Sequence, residues 1–235
     1  MYISVVIAIY NEEKNIAPLT KRLHKSLSSM HAPFEIVYVI DGDDDSAKIA
    51  YMLQKRYKNI KIDHSEKKRG FRNSFVKGYS MVDKRSTHIL TMDADLNHQP
   101  EEIKKFIQCM QKTRSDVVIG SRYVSQGKMT EVALWKKAVS KIANFIINLV
   151  WKMNIHDKTS GYRLYTKKAF EKCLRKTSAP NFEFLFEMLI LAKKNNYIIT
   201  EIPITFKARV AGESKFQLLK VIRGYFKILI KHIMD

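Results

Sequence analysis

The sequence predicts an α/β protein: an open, mostly parallel sheet with helices on both faces, elaborated toward its C-terminal end by amphipathic helices. Three observations predict it. From Tyr2 to Gly120, short β-branched runs alternate with stretches of helical period, the pattern of βαβ units. The runs are nearly continuously apolar, as strands covered on both faces are. Acids follow the first, second and fourth runs, on the carboxyl edge where open α/β sheets bind ligands.

Tyr2 to Tyr10 is the first strand, and a helix follows Asn11-Glu12-Glu13 to about Met30. Phe34 to Ile40 is the second strand. It ends in Asp41-Gly42-Asp43-Asp44-Asp45-Ser46, whose last residues are good helix caps, and a helix runs to about Tyr57. Ile60 to His64 is a short third strand, and Lys67-Lys68-Arg69-Gly70 opens a helix to about Val82. Thr87 to Met92 is the fourth strand and delivers Asp93-Ala94-Asp95. Pro100-Glu101-Glu102 starts the next helix, with proline and acids suited to a first turn. Val117 to Gly120 is the fifth strand.

The later half reads differently. Glu131 to Met153 is a helix with one apolar stripe, Asp157 to Thr166 a polar turn leading into a strand, and Phe182 to Asn195 a helix. Tyr197 to Phe206, with Pro203, is an edge strand. Ser214 to Met234 is a last helix, with Ile222, Phe226, Leu229 and Ile233 on one stripe and Lys220, Arg223, Lys227 and Lys231 on another. With no repeat or evident linker, residues 1–235 read as one domain, divided into halves 1–125 and 126–235.

Composition narrows the partners. Lys and Arg number 42 against 23 Asp and Glu, a net charge of +19, which implies an anionic partner. Cys109 and Cys173 lie in helix-like stretches without metal-ligand spacing and read as reduced thiols. No leader is expected, and no apolar run approaches the ~20 residues that cross a bilayer.

Asp93 and Asp95 are the leading site residues. Two carboxylates spaced i, i+2 at a strand end point to one face, and they repel unless a cation sits between them. The plainer reading is a turn with solvated acids. Asp41 would meet a nucleoside at the same edge, rather than only capping a helix. Of the basic run, Lys67 and Lys68 read as solvated. Arg69, beside Gly70, reads as a phosphate contact. Arg122, in Gly120-Ser121-Arg122-Tyr123, offers a two-pronged fork to phosphate oxygens, against a surface ion pair. His98 has no partner at zinc spacing and reads as packing. Glu183 and Glu187 are the only candidate bases of the later half and, flanked by Phe, read as structural.

Taken in order, these pieces resemble a known family. Val6-Ile7-Ala8-Ile9-Tyr10-Asn11-Glu12 is similar to the opening of inverting family 2 glycosyltransferases. Asp93-Ala94-Asp95-Leu96-Asn97-His98-Gln99-Pro100 resembles the acidic motif of their polyprenyl- and dolichyl-phosphate sugar synthases. Gly120 to Tyr123, Trp135 to Asn144, Thr159 to Arg163 and Arg209 to Lys215 resemble the later blocks. The resemblance implies a GT-A, Rossmann-like fold. It implies a nucleotide-sugar donor (GDP or UDP, carrying mannose or glucose), Mg²⁺ or Mn²⁺, and a polyprenyl or dolichyl phosphate acceptor. On that basis residues 1–125 hold the donor, and residues 126–235 serve the acceptor and the membrane. By motif position Ala8, Tyr10, Glu12 and Asp41 would hold the nucleoside. Asp93, with Ala94, would meet donor ribose or phosphate, and Asp95 and Asn97 the metal. Arg122, Lys136, Ser140 and Arg209, with Lys215 closing the last block, would hold phosphates. Asn97 stands where the family has Gln, Ala8 where it has Pro, Lys136 where Arg is common, and Asp41-Gly42 where Asp-Asp is usual. The expected place is peripheral, on the cytoplasmic face of a membrane, where a small anchoring subunit is a further partner. An acceptor phosphate is already ionised near neutral pH and needs no dedicated base, whereas a sugar hydroxyl would. The competing readings are a family 2 enzyme acting on a glycan hydroxyl, a nucleotidyltransferase, and a basic nucleic-acid-binding protein. The nucleotidyltransferase's Gly-rich, Lys-bearing loop is missing, and the last reading lacks basic residues interleaved with aromatics.

Overall fold

The computed structural model describes residues 1–131, 144, 153–207 and 218–234. Among them the strands are β1 Ile3–Tyr10, β2 Phe34–Asp41, β3 Ile60–Ser65, β4 His88–Thr91, β5 Val117–Ser121, β6 Lys128–Thr130, β7 Arg163–Thr166, β8 Ile199–Pro203 and β9 Thr205–Lys207. The helices, numbered in the same way, are α1 Glu13–Ser28, α2 Ser46–Arg56, α3 Phe71–Ser80, α4 Ile103–Thr113, α5 Lys167–Lys176, α6 Glu183–Lys194 and α7 Leu218–Met234. The expected helix from Pro100 begins as a 3₁₀ turn, Pro100–Glu102, before α4.

The main sheet runs β3-β2-β1-β4-β7-β5-β8. Its neighbours pair in parallel except around β7, which lies antiparallel to both β4 and β5. β1 shows why these residues make a central strand. Val5, Ile7 and Ile9 enter a core with Ile16, Leu19 and Phe106, while Val6 enters a second core with Phe75, Phe170 and Met188. Helices therefore cover both faces, as the continuous apolar runs require. Helix α6 is buried along Glu183–Ala192, so it is an interior helix with α5 and α7 packed beside it.

Several expectations change. The single edge strand expected at 197–206 divides after Pro203. β8 forms the sheet edge beside β5, and β9 pairs in parallel with β6 in a second small sheet. Helix α5 occupies the helix-like stretch around Cys173, started by Thr166, whose hydroxyl accepts from the Ala169 N–H at 3.3 Å. On α7, Phe226 faces outward, while Ile228 and His232 are buried. Helix 131–153 lies outside the described residues apart from Asn144 and its end residues.

The starts of α1 and α2 cap one another. Asp44 accepts from the Glu13 N–H (3.0 Å) as well as from Ser46 N–H (3.0 Å), and the Ser46 hydroxyl accepts from Glu12 N–H (2.9 Å). Glu13 in turn accepts from Asp45 N–H (3.2 Å), so of the acids read as caps of α2, Asp44 serves both helices. Asp45's own side chain makes no cap bond.

Gly78 lets α3 lie close on the sheet. A Cβ there would stand 2.5 Å from Val6 Cγ1 and 3.1 Å from Val39 Cγ2. Gly78→Ala is expected to lower stability by about 1 kcal/mol net, the middle of the difference between an overpacking cost of ~1–3 and a helix-propensity return of ~1. A urea midpoint at or above wild type would contradict this.

Candidate active site

The carboxyl ends of β1, β2 and β4 surround a cleft of about 340 Å³. One wall carries Ala8, Tyr10, Glu12 and Asp41, with Lys68, Gly70 and Phe71. The floor carries Asp93, Ala94, Asp95 and Asn97, and the far side Asn181, Phe182 and Phe206. The fold thus brings together Asp41, Asp93 and Asp95, which come from two strand ends, at one hollow.

Strand β4 ends at Thr91, so the two acids stand in the loop beyond it. The loop is shaped by Leu96 at φ +64° and by Asp95 Oδ1, which accepts from Asn97 N–H at 3.1 Å. Asn97 is tied to β9 in both directions. Its side-chain amide donates to the Lys207 carbonyl, and Lys207 N–H donates to the Asn97 carbonyl at 3.1 Å. His98 lies beneath and accepts from Asp93 N–H at 3.1 Å. Burial pushes its pKa down to about 4, so the ring is neutral; it stacks on Tyr162 with centroids 4.9 Å apart. This is the packing role expected.

The basic loop departs from expectation. Arg69 turns inward, not to the cleft. Its Nε donates to Asp41 Oδ1 (2.7 Å), its backbone N–H to Asp41 Oδ2 (2.8 Å), and its other nitrogens to Asp63 and the Ile40 carbonyl (3.2 Å). Two carboxylates on adjacent strands outcompete solvent for a fork-shaped cation. Asp41 is 3% exposed and also accepts from the Ser74 hydroxyl at 3.4 Å, so it anchors this loop while lining the cleft. Among the described residues the cation that reaches the cleft is Lys68, read from sequence as solvated. Its Nζ stands 4.4 Å from the centre of the Tyr10 ring. Gly70, at φ +91°, turns the chain from this loop into α3.

Arg122 lies behind the far wall. Its Nε and Nη2 grip Asp157 (2.6 and 2.7 Å), and Nη2 also donates to the Thr159 hydroxyl (2.6 Å). Its guanidinium carbon is 5.2 Å from the ring centre of Phe206, which lines the cleft where Arg122 does not. The pair is therefore buried rather than on the surface. Burial opposes ionisation of Asp157, but the charge and hydrogen bonds of Arg122 outweigh it and hold the carboxyl below the usual range. Lys136, Ser140, Arg209 and Lys215 lie outside the described residues.

Sequence reasoning missed Lys68, Asn181, Phe182 and Phe206. Pro180-Asn181 ahead of a helical stretch was the one available signal, marking a loop beside a helix start.

A parallel sheet with acids gathered at its carboxyl edge is a nucleotide-binding architecture. The family model for glycosyl transferase family 2 matches residues 4–174, and the chain belongs to that family. It is 32% identical over 235 residues to the dolichol-phosphate mannosyltransferase of Pyrococcus furiosus, with 97% of this chain and 64% of that one covered. The polyprenol monophosphomannose synthase of Mycolicibacterium smegmatis is 29% identical over 228 residues, covering 95% and 84%. This chain thus spans less than two thirds of the length of the Pyrococcus relative. Among solved structures, glucosyl-3-phosphoglycerate synthase of Mycobacterium tuberculosis, in complex with Mn²⁺, UDP-glucose and phosphoglyceric acid, superposes with a TM-score of 0.70. It is 13% identical, with 98% of this chain and 79% of that one covered, a likeness of fold.

Proposed function

We propose that the protein transfers a hexose from a nucleotide sugar to a polyprenyl phosphate, by direct displacement with inversion at the anomeric carbon. The observation that carries this reading is the convergence of Asp41, Asp93 and Asp95 on one cleft. The two curated relatives support the lipid-phosphate acceptor and favour mannose as the sugar. A lipid-phosphate acceptor puts the reaction at a membrane surface, in this reading on the cytoplasmic face; no described helix is long and apolar enough to cross a membrane.

The donor set fits a hard divalent cation, Mg²⁺ or Mn²⁺. Asp95 and Asn97 offer oxygen and the site has no thiol. Among the described residues no three His, Cys, Asp or Glu side chains cluster as a complete metal cage. Asp95 and Asn97 would hold the ion, which when bound neutralises the departing diphosphate. Lys68 adds positive charge at the donor end, and Tyr10 and Asp41 frame the nucleoside.

The acceptor needs no base from the protein. Glu187 is fully buried and accepts from Ser178 N–H (2.7 Å) and Ala179 N–H (2.8 Å). Glu183 is 4% exposed and packs against Gly224. Neither lines the cleft, which favours an already ionised phosphate as nucleophile over a sugar hydroxyl.

The test is a thermal-shift screen of GDP- and UDP-sugars with Mn²⁺ or Mg²⁺, followed by transfer to polyprenyl phosphate. Transfer to a glycan hydroxyl and none to lipid phosphate would overturn the acceptor. Lys68→Ala is expected to weaken donor nucleotide binding roughly 5–10-fold, about 1–1.4 kcal/mol. Lys67→Ala should leave it unchanged. Equal effects of the two in a nucleotide titration would remove Lys68 from the site.

A further inference from the structure

Part of the far wall of the cleft is a short loop held from two sides. Residues 177–182 connect α5 to α6, and each of the first four is tied down. Arg72, in the first turn of α3, donates from Nε to both the carbonyl and the hydroxyl of Thr177, each at 3.0 Å. The first N–H groups of a helix have no partner within it, and that of Arg72 donates to the Pro180 carbonyl at 3.2 Å. From the other side the buried Glu187 carboxylate accepts from Ser178 N–H (2.7 Å) and Ala179 N–H (2.8 Å). Asn181 and Phe182 stand at the end of this strap; both are exposed and both line the cleft. The Phe182 ring leans on Phe71 of α3, with centroids 5.0 Å apart. The start of α6 also stands beside the acids. A Cβ on Gly161 would meet Asp93 Oδ1 at 3.0 Å and Leu185 Cδ1 at 3.6 Å, so only a glycine separates the two.

The order of the donor's parts says what this wall meets. With the nucleoside framed by Tyr10 and Asp41 and the diphosphate over Asp95 and Asn97, the hexose is left facing Asn181 and Phe182. We propose that Asn181 selects the sugar by reading one of its hydroxyls, with Phe182 against the sugar's carbon face, and that Arg72 is the positioning residue that fixes their loop. The assignment rests on the nucleotide-sugar reading above. A carboxamide offers two donors and an acceptor, which suits it to tell an axial from an equatorial hydroxyl. A few placed polar groups on an apolar lining are what give a small-molecule pocket its specificity. Such a group selects only while it is held in place, since a displacement of about 1 Å is enough to spoil the fit. Arg72 supplies that hold across a separation of 105 residues, joining the donor wall to the sugar wall.

The experiment is calorimetric titration of the full chain, with Mn²⁺ and without acceptor, by GDP, UDP, GDP-mannose, GDP-glucose, UDP-glucose and UDP-galactose. Wild type should separate the members of one epimer pair by about tenfold or more. N181A should lose about fivefold of that ratio, the typical contribution of one hydrogen bond, by binding the preferred sugar more weakly. Its affinity for the free nucleotide should stay at the wild-type value. R72M should lose part of the ratio, again with free-nucleotide binding unchanged, and R72K should recover some of what R72M loses. Equal binding of both members of each pair by wild type, or an unaltered ratio in N181A, overturns the assignment. An R72M that keeps the ratio, or that weakens both epimers and the free nucleotide alike, removes Arg72 as the positioning residue. A wild type that binds no nucleotide sugar overturns the function proposed above. Epimer selection by a wild type that transfers nothing to polyprenyl phosphate leaves Asn181 standing and removes only the acceptor.

Discussion

Asp95→Asn is expected to lower turnover by about 10³-fold or more while leaving the unfolding midpoint close to that of wild type. The substitution keeps an oxygen where Asp95 Oδ1 accepts from Asn97 N–H, so the turn that shapes the acidic loop survives. What it removes is the negative charge that would hold a cation against the leaving diphosphate. A loss of that size is about 4 kcal/mol of transition-state stabilisation. Asp95→Ala should be equally inactive and somewhat less stable, because the turn bond goes too. The measurements are steady-state transfer at saturating donor, titration of Mn²⁺ and Mg²⁺, and a thermal melt of each variant. Near-normal turnover by Asp95→Asn would remove the metal-site assignment.

The largest effect on stability is expected at Asp157. Its carboxylate is completely buried and receives two guanidinium bonds and the backbone N–H of Arg122. Asp157→Ala leaves the guanidinium in a low-dielectric site without its counter-charge, which costs about 3–5 kcal/mol. For a chain of this size that lowers the melting temperature by roughly 6–20 °C. Removing both charges, as in R122M/D157L, should recover most of the loss, because neither ion then has to be desolvated. Calorimetry of the two single variants and the double variant closes the cycle. A double variant no more stable than Asp157→Ala would mean that the site resists apolar packing for another reason.

Much of the fold was legible because the apolar pattern of the first half has one solution. Strands β1 to β5 and helices α1 to α4 follow runs whose period states the element directly. Strand β7 was placed but not oriented, since nothing in Arg163 to Thr166 records that its partners run the other way. β6 is three residues long, too short for any period. The acids of the site were legible because they follow buried strands. The roles of Lys68 and Arg69 were not: both are cations in one loop, and only Asp63, brought alongside by the pairing of β2 with β3, decides which turns inward. Arg122 met its counter-ion 35 residues further along, a distance no local pattern spans. Glu183 and Glu187, read as structural from the bulky neighbours around them, are buried and do not line the cleft.

The antiparallel strand in the middle of the sheet has a consequence for biosynthesis. When residues 1–125 have left the ribosome, β4 and β5 exist, but the strand that joins them does not. Until Arg163–Thr166 emerges, β4 has one bare edge and β5 has neither of its partners, since β8 is later still, a state prone to pairing with other chains. The two halves of the sequence are thus interleaved, and a fragment cut near residue 125 should be a poor folder however well its own strands are patterned.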